Sequence, residues 1–252
     1  MKIAVSGKGG TGKTTFTAGL AWVLQRRGFR VILIDADPAM NLQLTLGLEG
    51  SVVPLSEMKE LIQERTESET SPVFKLNPRV DDIPEKYFLR QGNLLLGVMG
   101  TIRAAGSGCT CPENAFLKAL LRHLILRREE FVILDMEAGI EHLGRGTTMG
   151  IDWLIILTEP GEKSVQTAYR IDTLARQLGL KKIGVVGNFV RSKSEEDFLR
   201  EKLKGLNLLG FLPYEETIRE TEIAGKPFSE KAPHFLRAVE TILFRMEDSH
   251  ET

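Results

Sequence analysis

Eight residues near the start of the chain, Gly7-Lys8-Gly9-Gly10-Thr11-Gly12-Lys13-Thr14, combine the types needed to hold a polyanion. Two glycines stand five apart and are followed by lysine and threonine, the template of a loop that cradles phosphates. Glycine lets the backbone turn tightly and approach an anion closely. Loop amides and the amino end of a following helix then point at the phosphates. In such a loop Lys13 reaches the β- and γ-phosphates and the Thr14 hydroxyl ligates Mg²⁺. Gly9, Gly10, Thr11, Gly12 and Thr15 complete the expected contact with the phosphates of ATP or GTP, or of a diphosphate such as ADP. The bland alternative is a glycine-rich turn with an incidental lysine. Against it stand the apolar run Lys2-Ile3-Ala4-Val5-Ser6 before the loop and the helical pattern after it.

Carboxylates follow at the expected places. Arg30-Val31-Ile32-Leu33-Ile34 reads as a buried parallel strand and ends in Asp35-Ala36-Asp37-Pro38. A carboxylate pair past the carboxyl end of such a strand lies beside the phosphate loop, where open α/β sheets bind ligands. Phe131-Val132-Ile133-Leu134 is a second such strand, ending in Asp135. Phosphoryl transfer to water needs Mg²⁺, a lysine clamp and a group that orients the attacking water. Asp135 is expected to hold Mg²⁺ through water, Asp37 to orient the attacking water, and Asp35 to stand in the metal's outer shell. Aspartate also favours helix caps and turns, which is the competing reading for each.

Cys109 and Cys111 are the only cysteines in the chain. They allow three readings: small buried residues, a strained and labile redox pair, or metal ligands. Gly106-Ser107-Gly108 and Pro112 put them in a bend rather than on an apolar helix face. Pro112 suits a first helical turn, which makes Cys111 the N-cap. The helix dipole there favours thiolate, the ligand form, and metal binding is the preferred reading. One chain supplies two thiolates. Two chains about a two-fold axis supply four, the number wanted by Zn²⁺ or by square-planar Ni²⁺. His142 is read as a surface or satisfied helix residue.

The elements that must position these groups alternate along the chain. Phe16, Leu20, Val23, Leu24 and Arg27 fall at helical spacing, with Gly28 as a stop. Strands are expected at 93–98, at 152–158, at 182–187 with Asn188 at its end, and at 207–212 before Pro213. Helical patterns run through Phe116, Leu117, Leu120, Leu121 and Leu124, and through Ala168, Ile171, Leu174, Ala175 and Leu178. The polar stretch from Met58 to Thr70 reads as a helix and surface loop with a solvated face. Strand–helix alternation with apolar strands predicts an α/β fold, a mostly parallel doubly wound sheet with helices on both faces. At 252 residues the expectation is one ATPase domain spanning 1–252.

A formal net charge of −1, with 33 Lys plus Arg against 34 Asp plus Glu, gives no global sign of a nucleic-acid or anionic-membrane partner. No apolar run approaches bilayer-spanning length, and the first residues read as a strand and loop rather than a leader. With so few cysteines, a reducing cytoplasm is expected.

Lys8, directly after the first glycine, resembles the signature lysine of the deviant phosphate loop in the MinD/ParA/nitrogenase-iron-protein group of ATPases. In that group this lysine crosses a dimer interface to the other subunit's nucleotide; a solvated charge is the plain alternative. Asp135-Met136-Glu137-Ala138-Gly139 resembles the group's switch II, with Gly139 as hinge. The same resemblance implies that Asn188 meets the adenine edge and that the segment around Leu212 and Pro213 lines the base. Cys109-Thr110-Cys111-Pro112-Glu113-Asn114-Ala115-Phe116 and the stretch from Asp135 to His142 bring the chain close to CooC-type ATPases. That likeness covers essentially the whole chain. It implies an ATP-dependent homodimer that binds Ni²⁺ or Zn²⁺ between subunits and loads nickel into carbon monoxide dehydrogenase or the related acetyl-CoA synthase. Two other classes compete. An electron donor like the nitrogenase iron protein has widely separated cysteines, unlike this pair. A MinD- or ParA-type positioning ATPase needs a basic tail or surface that this composition lacks.

Overall fold

The computed structural model describes residues 1–68, 74–100, 111–140, 148, 150–226 and 231–248. In chain order the elements are β1 (Lys2–Gly7), α1 (Lys13–Arg26), β2 (Val31–Asp35), α2 (Leu42–Leu46), α3 (Lys59–Thr66), α4 (Ile83–Tyr87), β3 (Leu89–Gln91) and β4 (Leu94–Val98). They continue with α5 (Pro112–Arg127), β5 (Phe131–Asp135), β6 (Trp153–Thr158), α6 (Glu162–Gln177), β7 (Ile183–Val190), α7 (Lys193–Lys202), β8 (Leu208–Pro213), α8 (Glu216–Ile223) and α9 (Pro233–Asp248).

The strands form one sheet in the order β3-β4-β2-β5-β1-β6-β7-β8. All neighbours are parallel except β3 against β4. Continuous apolar runs suit the central strands because helices cover both faces. On one face Phe116, Leu120 and Leu124 of α5 and Ala168 and Ile171 of α6 join Ile34, Leu134 and Ile156. On the other, Phe16 and Leu20 of α1 and Phe235 and Val239 of α9 join Ile3, Val5 and Ile133. Each large apolar side chain buried this way contributes ~1.5–3 kcal/mol relative to exposure. The sheet therefore holds rigidly the strand ends from which the site is built.

The sequence expectation and the structure differ in detail. β7 does not end at Asn188 but runs on to Val190, so Asn188 stands inside the strand. The helix expected after Met58 is α3: Lys59, Glu60, Gln63 and Glu64 form its solvated face, and Leu61, Ile62 and Thr66 are buried on the other. β3 was not foreseen, because three residues, two of them exposed, carry no usable periodicity.

Candidate active site

The loop between β1 and α1 is closed by its own atoms. The Thr11 hydroxyl donates to the Lys8 carbonyl at 2.8 Å, and the Phe16 amide donates to the Gly12 carbonyl at 2.9 Å. Gly10 and Gly12 take φ values of 81° and 82°, the left-handed region that favours glycine. At Gly12 space is also limiting, since an added Cβ would stand 2.3 Å from Asn188 Nδ2. Asn188 is buried, and its Nδ2 donates to the Thr11 carbonyl at 2.8 Å. Its Oδ1 accepts the Phe189 amide at 2.8 Å. The amide that the resemblance assigned to adenine is thus engaged in bracing the loop.

A cavity of about 390 Å³ opens beside the loop. Gly10, Gly12, Lys13, Thr14, Thr15 and Asp37 line it, as do Phe189 and parts of α2 and α8. Gly9 is exposed at the loop's crest, while Thr11 is buried beneath it. Leu212 is buried in the core, and neither it nor Pro213 is among the described residues lining the cavity.

Parallel pairing sets Asp35 and Asp135 side by side at the carboxyl ends of β2 and β5. Asp35 is buried and accepts the Asp37 amide at 3.1 Å and the Leu42 amide at 3.0 Å. It thereby fixes the turn that carries Asp37. Burial raises its carboxyl to about 6, opposed by those two amides. Asp135 is also raised, to about 7, chiefly by burial and secondarily by the charge of Asp35. The Thr14 hydroxyl and the Lys13 ammonium offset part of that. Even so, neither Asp135 oxygen has a well-formed hydrogen bond. A buried carboxylate with both oxygens unsatisfied, near a threonine hydroxyl and two further carboxylates, is the donor set of a hard divalent cation such as Mg²⁺.

Lys8 lies outside the cavity lining and pairs with Glu159 at 3.1 Å, just past the end of β6. Ser6, fully buried in β1, donates to the Gly139 carbonyl at 2.7 Å and ties the segment after β5 to the strand that launches the loop. Sequence reading missed Ser6, Glu159 and Phe189, since nothing in one sequence says which residues the sheet makes neighbours. Cys111 is the N-cap of α5, with Pro112 as the first helical residue and the Ala115 amide bonded to its carbonyl. Cys109 and His142 lie outside the described residues. Among the described residues no helix is long and apolar enough to cross a membrane.

A strand, a glycine-built phosphate loop and a helix, with acidic residues at the ends of the neighbouring strands, define a P-loop ATPase that binds and hydrolyses ATP. The chain belongs to the CobQ/CobB/MinD/ParA nucleotide binding domain family, whose model matches residues 2–228, and within it is a CooC-type member. It is 45% identical over 239 residues to the carbon monoxide dehydrogenase accessory protein CooC of Rhodospirillum rubrum, covering 92% of this chain and 91% of that one. It is 47% identical over 235 residues to an uncharacterized ATP-binding protein of Methanocaldococcus jannaschii, covering 91% of each. The fold is that of MinD in the MinC:MinD cell division complex of Aquifex aeolicus, with a TM-score of 0.70 at 21% identity. That match covers 98% of this chain and 95% of the other.

Proposed function

We propose that this ATPase is a metallochaperone, a homodimer over residues 1–252 that carries Ni²⁺ or Zn²⁺ between subunits and assists nickel insertion into a client enzyme. The client is carbon monoxide dehydrogenase or the related acetyl-CoA synthase. One observation carries the reading: 45% identity to an accessory protein of carbon monoxide dehydrogenase, in a chain whose Cys111 caps α5 as a metal-ligating thiolate would. Cys109 and Cys111 of both copies supply the four thiolates.

In the nucleotide site Gly9, Gly10, Thr11, Gly12 and Thr15 offer backbone and hydroxyl donors to the phosphates, and Lys13 neutralises the β- and γ-phosphate charge. Thr14 directly and Asp135 through water would hold Mg²⁺, which would supply charge neutralisation on the phosphates. Asp37 orients the attacking water from its place on the cavity wall. Lys8 serves the nucleotide of the partner copy. Asn188 positions the loop through Thr11.

The test is metal analysis of protein purified anaerobically, with a visible spectrum. About one nickel or zinc per dimer, lost in the Cys109→Ala, Cys111→Ala double variant, is expected. Unchanged metal content in that variant removes the shared site, and iron with sulfide absorption points instead to an electron donor.

A further inference from the structure

Phe189 follows Asn188 inside β7, where the pairing with β8 slips between Gly187 and Val190. Its φ is 58°, left-handed backbone that a bulky side chain rarely adopts. Contacts on both sides hold it there. Asn188 Oδ1 accepts the Phe189 amide at 2.8 Å, and one residue later the Tyr214 amide donates to the Val190 carbonyl at 3.0 Å. The ring packs edge-on to Tyr214, with centroids 6.4 Å apart, and the Arg191 guanidinium covers the Tyr214 ring at 4.0 Å.

The irregularity turns the ring against the phosphate loop. A Cβ added to Gly12 would meet Phe189 Cζ at 3.1 Å. Phe189 lines the cavity together with Ile218, Thr221 and Glu222 of α8. A bulge beside an active site commonly re-aims one side chain, and a strained residue held by its surroundings points to a functional demand. Asn188 serves both ends of this arrangement, since the same amide that braces Thr11 fixes the Phe189 peptide.

We propose that Phe189 is the stacking wall for the base of the bound nucleotide, with Ile218 as a second apolar surface of the base slot. The proposal rests on the nucleotide reading of this cavity. It moves the base contact from Leu212, which is buried, to a side chain aimed by the bulge in β7. Stacking uses the π-face that every base has, so it adds affinity without choosing among bases.

Phe189→Gly isolates this role, because glycine adopts the φ of 58° without strain and the strand keeps its path. Calorimetric titration with ATP and with inorganic tripolyphosphate separates base from phosphate contacts. The variant is expected to bind ATP roughly tenfold to hundredfold more weakly, with tripolyphosphate affinity unchanged and the thermal midpoint not lowered. GTP is expected to lose affinity by the same factor, and Phe189→Tyr to bind ATP as the native chain does. Unchanged ATP affinity overturns the proposal, and so does an equal loss for both probes. Native protein that binds tripolyphosphate but not ATP strikes the nucleotide reading itself.

Discussion

Asp135 meets two opposed demands. Its place at the end of β5 buries it, and its chemistry needs a charge. Without a cation, burial wins, and the carboxyl titrates near 7, with Asp35 near 6. Both stand above the unfolded value of about 3.9. The folded protein therefore keeps protons that the unfolded chain has released. These groups leave stability intact below about pH 4 and withdraw it as pH rises through about 7. The expected result is a metal-free thermal midpoint that falls from pH 5 to pH 7.5 in the native protein relative to Asp135→Asn. Mg²⁺ with ADP is expected to raise the midpoint more at pH 7.5 than at pH 5, because a cation replaces the proton. Differential scanning fluorimetry at both values reads this directly. A native-minus-variant difference that does not move with pH would contradict it.

At the scale of elements, β1 does more than lead into the phosphate loop. Ser6 reaches across to the Gly139 carbonyl at 2.7 Å, and Met136 donates its amide to the Val5 carbonyl at 3.0 Å. The loop and the segment after β5 thus share one strand as their base. Ser6→Ala leaves the Gly139 carbonyl short of a donor in a half-buried place, a cost of roughly 1–3 kcal/mol. Turnover is expected to fall severalfold while ATP affinity holds, since the residue bonds Gly139 beyond β5 and does not line the cavity. Stopped-flow nucleotide binding beside steady-state turnover separates the two, and a matched loss in both would assign Ser6 to loop stability alone. Such cross-strand links explain what the sequence could and could not display. The loop, the strand-end aspartates and the Cys111–Pro112 cap are local patterns, readable from residue type and spacing. Sheet order is not local, so Ser6 with Gly139 and Lys8 with Glu159 were invisible until β1 was set between β5 and β6. Phe189 was hidden differently: an expected strand end at Asn188 concealed the bulge that aims it.

For the whole molecule the decisive group is Lys8. It sits on the loop yet outside the cavity lining, and its ammonium is held by Glu159 at 3.1 Å. Both side chains are more than a third exposed. A pair of that kind contributes only ~0–1 kcal/mol. Leaving Glu159 therefore costs Lys8 little, as its proposed reach to a partner's nucleotide requires. Glu159→Gln removes the competitor without touching the loop. Its thermal midpoint is expected to stay within about a degree or two of native, by the small size of the pair. Its ATP-dependent dimer should form at lower protein concentration, most clearly at low salt, where the native pair is least screened. Lys8→Ala should give the opposite result: ATP binds with near-native affinity, but the dimer and turnover are lost. Light scattering across a protein dilution series, with and without ATP, reads both variants together. If Lys8→Ala dimerises as native protein does, the lysine serves its own loop and the two-subunit site has no carrier.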